Sequence, residues 1–592
     1  MTFAVSRPSY YLSLIAAIAC ALLHLPSPAF AQAVSAPAPI QEELRQQERQ
    51  KALRDSQEKS VDARLPTGAT PESRRLPDSE SPCFRMDRVL LVGERSEFFQ
   101  WALASLPGSD RSSPDSPVGR CLGATGVTIV LSRLQQAVIA RGYITTRVLA
   151  APQDLSAGTL TVTLVPGRIA AIRFAPGSTP SSPSLLASAI PAHVGDLLNL
   201  RDIEQGLENL KRVPSADASI QIEPSAGSSG SGARPGDSDL VVKYTQARHL
   251  RGALGLDDSG LTATGRYQGS VTVAADNLLG LNDLFYISAN HSVGNHFLGD
   301  PGTGTEGQTV HYSLPWGDWL LGTTLSNSRF AQTVAGFSQN YVFSGQTRNS
   351  EIKLARLIYR DQSRKTTTSL KVFRRDSRSF IEDVEVQVQH RVEAGWEAGL
   401  QHKEFMGRAT LEGNLNYRRG TGALGAITAP EELFNEGTSR FKLVTADASL
   451  NAPFRLAGQQ FRYAGLWRAQ WDSTPLTPLD QFAIGGRYTV RGFDGETSLL
   501  AERGWLIRND LGWAVGQSGA EAYMGIDYGH VAGPSARWLQ AGHLTGGVIG
   551  VRGALNAFRG LNYDVFVGAP IWKPAGYRTA SVTSGFGVIY NF

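Results

Sequence analysis

The chain is short of cysteine, of charged residues and of long hydrophobic runs. Its 592 residues include three cysteines, 19% are charged, and the formal net charge is +4. A charge this small, without a basic block, is not the footprint of a nucleic-acid-binding protein, so we predict no nucleic-acid partner. Beyond the first 31 residues, no run is apolar and long enough for a membrane helix. A membrane-spanning form must therefore be a closed barrel, because backbone groups in lipid need partners within the protein.

The motifs of catalytic and metal-binding sites are also missing. The histidines are scattered, with neither an HExxH pattern nor a paired Cys-His spacing, so no metal site is predicted. Residues 302–307 satisfy G-x-G-x-x-G, but no helix follows that would face a pyrophosphate. No glycine-lysine motif for holding phosphate is present. We therefore predict no catalytic residue, no metal and no cofactor, and we do not expect an enzyme.

The one long apolar run lies at the N-terminus and is typical of an export signal. Arg7 precedes apolar residues from Tyr11 to Leu25, and Ala29-Phe30-Ala31 matches the small-residue cleavage pattern. We predict a signal peptide over residues 1–31, so the mature chain is exported.

The mature chain keeps two cysteines, Cys83 and Cys121. In an oxidising exported compartment such a pair predicts a disulfide, and two unpaired buried thiols are the alternative.

Residues 32–58 form the first segment of the mature chain. Within it, 40–58 contain strong helix formers without glycine or proline, so they predict a helix. This helix is polar on nearly every face and cannot sit in a protein core. The sequence leaves open whether it is a solvated extension or lies in a water-filled lumen. Residues 59–81 turn to proline, serine, threonine and charge, which is typical of a linker.

The same order of elements then occurs twice. Residues 82–165 predict a strand, two helices and two strands, and residues 166–247 predict the same order again. In the second unit, a Gly/Ser-rich tip at 225–236 separates the last two strands. We therefore predict two successive α+β domains of one kind, and the role of the tip stays open.

From residue 248 to residue 592 the pattern is mainly β. The final strand is an example, because apolar residues from Val582 to Phe592 alternate with small and polar ones. The region is long enough for about sixteen antiparallel strands of about ten residues with their connections, as in an outer-membrane barrel. A soluble β-sandwich is the alternative, but it would leave many aromatic residues facing water.

One loop within this region is unusually long. Residues 472–504 show no regular period and join two aromatic-rich alternating strands, so the loop is expected to be functional. In the strand over 521–529, alternation places Asp527 on the lumen face beside Gly525 and Gly529, which leave space for another backbone. A partly desolvated aspartate needs a cationic partner, and Arg491 in the long loop is the candidate. The alternative is a solvated loop arginine and an unrelated lumen aspartate.

Several stretches resemble a known family, the TpsB outer-membrane transporters of two-partner secretion, which belong to the superfamily of the barrel-assembly protein BamA. The stretches are RGYITTRV (141–148), QDLSAG (153–158), GLND (280–283), YSLPWG (312–317), GGRYTVRGF (485–493) and the strand containing Asp527.

The resemblance implies a transmembrane β-barrel of about sixteen strands, two periplasmic POTRA domains, a linker and an N-terminal helix that plugs the pore. It also implies that the Val490-Arg491-Gly492-Phe493 tip is held inside the barrel by pairing of Arg491 with Asp527. Gly485 and Gly486 belong to the same loop motif, and the C-terminal Phe592 is expected to serve barrel assembly.

The implied function is an outer-membrane pore that exports a large unfolded protein without ATP. The expected location is the outer membrane of a Gram-negative bacterium, with the POTRA domains in the periplasm. The expected partners are the exported protein, outer-membrane lipid, and the barrel-assembly machinery and periplasmic chaperones during biogenesis. A BamA-like factor that inserts other barrels is the alternative, although such factors usually have more POTRA units. A passive porin or surface adhesin is a further alternative, but it would not need the periplasmic repeat.

Overall fold

The computed structural model describes residues 38–58, 61–68, 74–107, 115–179, 182–225, 234–294, 303–555 and 559–592. The predicted signal peptide and most of the Gly/Ser-rich tip at 225–236 lie outside these residues. From Ala38 onward the chain packs as a single unit. Its first element is helix α1, Ala38–Gln57. Within the described ranges, no helix is both long and apolar enough to cross a membrane.

The first repeat packs two helical segments on a small sheet. Its helical segments are a 3-10 helix, Ser96–Ser105, and helix α2, Ala124–Ala140. Its strands are β1 (Phe84–Arg85), β2 (Arg88–Gly93), β3 (Cys121–Leu122), β4 (Arg147–Leu149) and β5 (Thr159–Val165). The sheet order is β2-β5-β4, and β1 pairs with β3. Apolar residues of α2 at helical spacing, including Ile129, Leu134 and Val138, are buried against the sheet.

The second repeat has the same order of elements as β2, the two helical segments, β4 and β5 of the first, without a counterpart of the β1–β3 pair among its described residues. Its elements are β6 (Arg168–Phe174), α3 (Pro183–Ala189), α4 (Leu200–Leu210), β7 (Ala216–Pro224) and β8 (Asp237–Gln246). The sheet order is β6-β8-β7, with β6 and β8 parallel. Helix α4 begins where the side chain of Asn199 accepts a hydrogen bond from the N–H of Arg201, and it buries Leu200, Ile203 and Leu210. Both repeats therefore have the β-α-α-β-β order that the sequence predicts.

Sixteen antiparallel strands close into a barrel. They are β9 (Leu250–Asp257), β10 (Tyr267–Asp276), β11 (Leu284–Val293), β12 (Gly304–Trp316), β13 (Trp319–Ala335), β14 (Asn340–Arg360), β15 (Arg364–Ile381), β17 (Arg391–Met406), β18 (Ala409–Thr421), β19 (Lys442–Leu456), β20 (Gln459–Asp472), β23 (Arg503–Ala514), β24 (Ala520–Ala532), β25 (His543–Ala554), β26 (Leu561–Trp572) and β27 (Thr583–Asn591). A two-residue strand, β16 (Val384–Glu385), pairs with β15. The short strands β21 (Phe482–Ile484) and β22 (Leu499–Ala501) pair with each other inside the long loop. The barrel and the two α+β repeats confirm the predicted fold class.

The barrel closes at a short seam between its last and first strands. The pairing of β27 with β9 runs from Gly587↔Asp257 to Asn591↔Ala253. The neighbouring pairing of β26 with β27 is longer, from Leu561↔Tyr590 to Gly568↔Thr583. The ladder of this seam is therefore shorter than its neighbour, although backbone bonds between Gly252 and Phe592 and from Asp258 to Phe586 extend it at its two ends.

The barrel wall is polar inside and apolar outside. Many buried wall residues are polar, such as Thr272, Ser288, Thr309, Ser326 and Thr347. Many exposed wall residues are large and apolar, such as Val273, Ile287, Leu325, Ile352 and Ile526. Alternation of this kind along each strand is what a barrel in lipid requires around a hydrated lumen.

Candidate functional site

Helix α1 lies inside the barrel lumen. Its residues Gln41, Glu42, Glu43 and Gln46 are buried although all four are polar. The sequence left two places open for a polar helix, and the structure shows it in the lumen. A polar helix fits there because the surrounding wall supplies hydrogen-bonding groups.

Hydrogen bonds join α1 to several sides of the wall. Arg45 donates from Nη1 to the carbonyl of Ser259 and from Nη2 to the carbonyl of Gly495 in the long loop, each at 2.6 Å. On another side, Arg468 of β20 donates to Glu48 Oε1 at 2.6 Å, and Arg54 pairs with Glu351 of β14. Further polar contacts include Glu42 with Thr264, Glu43 with Ser328, Arg49 with Gln268 and Ser259, and Gln57 with Arg251.

The contacts of α1 with the wall are mainly hydrogen bonds and ion pairs, which water can replace. Most of these bonds involve a charged group, and such a bond contributes about 1.5–3 kcal/mol net, a modest value because water offers a replacement. Leu53 packs against the core of the second repeat. Most other side chains of α1 are polar, so departure of the helix breaks few apolar contacts. Helix α1 therefore occupies the lumen through contacts that water can replace.

The long loop, residues 472–504, folds back into the barrel and forms a small apolar core there. The core joins Ile484, Val490, Phe493 and Leu499 of the loop to Leu506, Val531, Leu544 and Tyr577 of the wall and a neighbouring loop. Phe493 is buried and meets Tyr577 edge-on, with ring centroids 5.7 Å apart. Near the start of the tip, Gly485 donates its N–H to the hydroxyl of Thr489, and Gly486 donates its N–H to the carbonyl of Val490.

Arg491 at the loop tip pairs with Asp527 on the wall. Its Nε donates to Asp527 Oδ2 at 2.7 Å and its Nη2 to Asp527 Oδ1 at 2.8 Å, a bidentate arrangement. The backbone N–H of Arg491 also donates to Asp527 Oδ2 at 3.0 Å. Arg491 is 4% exposed and Asp527 0%. We call Arg491, Gly492, Phe493 and Asp527 the loop latch.

Glycines let the loop tip approach the wall closely. A Cβ at Gly525 would stand 2.8 Å from Arg491 Nη2, and a Cβ at Gly546 would stand 1.8 Å from the carbonyl oxygen of Arg491. At Gly529 a Cβ would meet Val490 and Ile484 at under 3.0 Å. Gly492 itself has a φ of +94°, a conformation that favours glycine. The wall is therefore shaped to receive this backbone.

Two parts of the loop site are not predicted from the sequence. The first is Asp510 of β23, which accepts from Arg491 Nη2 at 2.5 Å, so Arg491 bridges two carboxylates. In the strand after the loop, alternation places Asp510 on the face opposite Trp505 and Trp513, and that signal could have identified it. The second is a buried charge cluster that holds the start of the loop. Asp480 accepts from Arg375 at 2.8 Å and from Arg418 at 3.1 Å, and Arg375 also pairs with Glu393.

Arg487 of the loop reaches the closing seam of the barrel. Its Nη1 donates at 2.9 Å both to Asp258 Oδ1, just after β9, and to the carbonyl of Phe586 in β27. Asp258 Oδ1 also accepts the N–H of Phe586 at 2.8 Å. The loop therefore supports the short seam from inside.

The other predicted site residues lie away from the lumen. Cys83 and Cys121 form a disulfide with a Cα–Cα distance of 5.3 Å in the first repeat. Phe592 is exposed, and its backbone exchanges two hydrogen bonds with Gly252 next to the seam. In the described part of the chain, no group of three or more His, Cys, Asp or Glu side chains is placed to hold a metal ion.

An acidic junction lies where the two repeats meet a barrel turn. A cavity of about 320 Å³ there is lined by residues that include Phe98 and Tyr143 of the first repeat, Asp196 and Asp202 of the second, and Asp318 of the turn. Burial raises the pKa of Asp202 to about 6, and the carboxylates of Asp318 and Asp196 add to the effect.

Comparisons with known proteins agree with this architecture. The family model "Haemolysin secretion/activation protein ShlB/FhaC/HecB" matches residues 236–553, and two POTRA models match residues 110–167 and 168–224. The outer membrane transporter CdiB-2 of Burkholderia pseudomallei strain 1026b is 36% identical over 95% of this chain and 97% of its own. The outer membrane transporter CdiB of Dickeya dadantii strain 3937 is 30% identical over 87% of each chain.

A solved structure is similar over nearly the whole chain. CdiB from Acinetobacter baumannii has a TM-score of 0.81 at 28% identity, and the match covers 95% of this chain and all of that one. With a sixteen-stranded barrel, an apolar outer face and two POTRA domains, the protein is placed in the outer membrane with its POTRA domains in the periplasm. The chain belongs to the haemolysin secretion/activation family ShlB/FhaC/HecB, and it is a TpsB-type outer-membrane secretion pore.

Proposed function

We propose that this pore recognises a large unfolded TpsA-type protein through its POTRA domains and moves it through the barrel to the cell surface without ATP. The observation that carries the proposal is the content of the lumen. Helix α1 fills it through replaceable polar contacts, and the loop tip is held there by a few buried ion pairs. A pore closed by removable parts of its own chain is suited to opening for a polypeptide.

Recognition of an unfolded chain has a simple physical basis in the POTRA sheets. Strands β2 and β4 lie at the edges of the first sheet, and β6 and β7 lie at the edges of the second. An extended polypeptide can add to a sheet edge through main-chain hydrogen bonds, which tolerate many sequences. Such binding would deliver an unfolded chain to the periplasmic end of the lumen.

Folding outside the cell supplies the direction in this proposal. A folded domain is more stable than its unfolded chain by about 0.05–0.15 kcal/mol per residue, so a long exported chain that folds at the surface does not slip back. Helix α1 leaves the lumen before passage, and the loop latch keeps the long loop in place.

The proposal keeps the segment boundaries predicted from the sequence. Residues 1–31 are the signal peptide, 32–58 the plug segment, 59–81 the linker, 82–165 and 166–247 the POTRA domains, and 248–592 the barrel. Phe592 would present the chain to the barrel-assembly machinery, with periplasmic chaperones protecting it on the way.

A secretion assay tests the proposal. Cells that carry the gene of a large exported β-rich protein, with and without this transporter, should release that protein into the medium only when the transporter is present. The amounts of other outer-membrane barrels should stay unchanged, since a BamA-like insertion factor would alter them. Equal release in both strains would refute the proposal.

A further inference from the structure

The linker occupies a groove between the second POTRA domain and the periplasmic rim of the barrel. Residues 61–68 run extended along helix α4 and beside the turns that follow β14 and β17. Alternate residues differ in exposure, with Ala63 buried and Asp62 and Arg64 exposed. The groove therefore already holds an extended chain.

Main-chain hydrogen bonds hold the linker in this groove. The N–H of Ala63 donates to Glu208 Oε1 at 3.1 Å, and the N–H of Leu65 donates to Glu204 Oε1 at 2.7 Å. The carbonyl of Ala63 accepts from Arg360 Nη2 at 2.5 Å. None of these three bonds depends on the identity of the linker side chains.

The spacing of the two carboxylates matches an extended chain. Glu204 and Glu208 are four residues apart on α4, which is about 6 Å along a helix axis. Alternate N–H groups of an extended chain are about 6.6 Å apart. One helix face therefore presents two acceptors in register with two donors of any extended segment.

Cationic side chains hold these carboxylates in place. Arg201 donates to both oxygens of Glu204 at 2.7 Å, and Arg360 donates to Glu204 at 3.0 Å and to Glu208 at 2.9 Å. Lys365 adds a further contact to Glu208. The carboxylates of Glu204 and Glu208 are thus preorganised acceptors, and linker departure would leave Arg360 and both carboxylates paired with each other.

The side-chain demands of the groove are modest. Ala63 points inward at 8% exposure, and Leu65 packs against the core of the second POTRA domain. Outside the groove, Asp62 pairs with Lys403 at 2.7 Å, and the Arg64 guanidinium lies 4.3 Å from the centre of the Phe405 ring. A small residue followed two positions later by an apolar one satisfies the inward positions, as in many strand-forming sequences.

We infer that this groove is a binding site for an extended segment of the exported polypeptide, and that the linker occupies it as a stand-in while the pore is plugged. The inference rests on the proposed function, which supplies an unfolded chain at the periplasmic rim. When α1 and the linker leave, the groove accepts a passing segment through the same main-chain bonds, next to the entrance of the lumen.

The test uses the full-length transporter with the photoreactive residue p-benzoylphenylalanine in place of Phe405. In the otherwise unchanged chain, this residue should cross-link to the linker. Ala63→Pro with Leu65→Pro removes both donated N–H groups and should release the linker. Asp62→Ala with Arg64→Ala is the matched control, since it keeps both N–H groups and should leave the linker docked. Leu65→Pro alone is a second variant that removes one donor.

Three biotinylated peptides then probe the released groove. One has the sequence of residues 61–68, one is shuffled with its alanine and leucine kept at the same spacing, and one is the shuffled peptide with those two amides N-methylated. The first two should cross-link to a similar extent. The third should cross-link at least about tenfold less, because it lacks the two hydrogen bonds to charged acceptors.

Three results would overturn the inference. They are equal capture of the N-methylated peptide, capture of the linker sequence but not the shuffled one, and a linker that stays docked with both prolines. Failure of the proposed function is a separate result, namely secretion that does not depend on the transporter. If the peptides are not captured but secretion still depends on the transporter, the groove inference fails and the proposed function stands.

Discussion

Replacing Arg491 with alanine tests the loop latch most directly. The change removes two hydrogen bonds to Asp527 and one to Asp510. Asp510 keeps Arg552 as a partner at 3.2 Å. Asp527 is fully buried and keeps the backbone N–H of residue 491 at 3.0 Å and that of Asn509 at 3.4 Å as donors, with Arg508 Nε 3.8 Å from its Oδ2. The cost therefore falls mainly on Asp527, which would lose its bidentate cation.

The size of the effect follows from this arrangement. Removing one partner of a buried ion pair costs about 3–5 kcal/mol. The retained backbone donors and the nearby Arg508 place Arg491→Ala near the lower end. The loss falls on the docking of the loop, because the wall strands keep their own hydrogen bonds. About 3 kcal/mol corresponds to a roughly hundredfold larger population of the undocked loop.

Hydrogen exchange of the full-length protein measures this population. We expect amides of residues 485–495 to exchange roughly a hundredfold faster in Arg491→Ala, while amides of β13 and β14 keep their protection. Secretion should fall at normal transporter abundance. The matched control is Arg503→Ala, since Arg503 pairs with Asp472 at the base of the same loop but is 53% exposed. An exposed pair is worth at most about 1 kcal/mol, so the control should change exchange only a few-fold.

Equal exchange in Arg491→Ala and Arg503→Ala would refute the argument that the buried pair holds the loop. Unchanged secretion at normal abundance would refute its role in transport. A charge swap, Arg491→Asp with Asp527→Arg, should restore only part of the protection. The reason is that Asp510 would then face a second carboxylate.

Four further changes have defined outcomes. Arg45→Ala removes two hydrogen bonds that hold α1, and should raise the fraction of time that the channel is open in planar bilayers; an unchanged closed fraction would contradict the proposed plug. Cys83→Ser with Cys121→Ser opens a loop of 38 residues, worth up to about 4 kcal/mol in the chain-entropy model, so the first POTRA domain should unfold at lower urea. Asp202 has a pKa raised to about 6, so its charged form opposes folding, and stability should fall as pH rises from about 4 to 6. Asp202→Asn should flatten that dependence and raise the calorimetric transition at pH 7.5, and an unchanged profile would contradict the assignment. Arg487→Ala removes the contact with the seam, and amides of β9 and β27 should exchange several-fold faster while those of β13 do not.

Alternation was sufficient to place Asp527 but not to describe its surroundings. The two-residue period of residues 521–529 assigns Asp527 to the lumen face, and the unusual loop length makes Arg491 its candidate partner. Whether Arg491 meets one carboxylate or two depends on the pairing of Asp510 with Gly525, which period alone does not determine. The cluster around Asp480 needed three separate strands and was beyond any local pattern.

The position of α1 shows a different limit of sequence reasoning. A helix that is polar all round is as well solvated in water as in a hydrated lumen, so its composition cannot choose between them. Contacts with residues distant in the sequence, such as the hydrogen bond from Arg45 to Gly495, determine where the helix lies. The two repeats and the barrel were predictable because their apolar periods are local.

The contacts of α1 also carry a consequence for the order of folding. Arg45 bonds to residues 214 and 450 positions further along the chain, so the earliest element docks on some of the latest. Each doubling of a loop adds only about 0.6 kcal/mol of closure entropy, so this distance delays docking more than it weakens it. The loop tip touches both strands of the seam through Arg487, and it completes that contact only when β27 reaches β9. The barrel therefore closes around its own loop, and the contact of Arg487 with the seam is among the last to form.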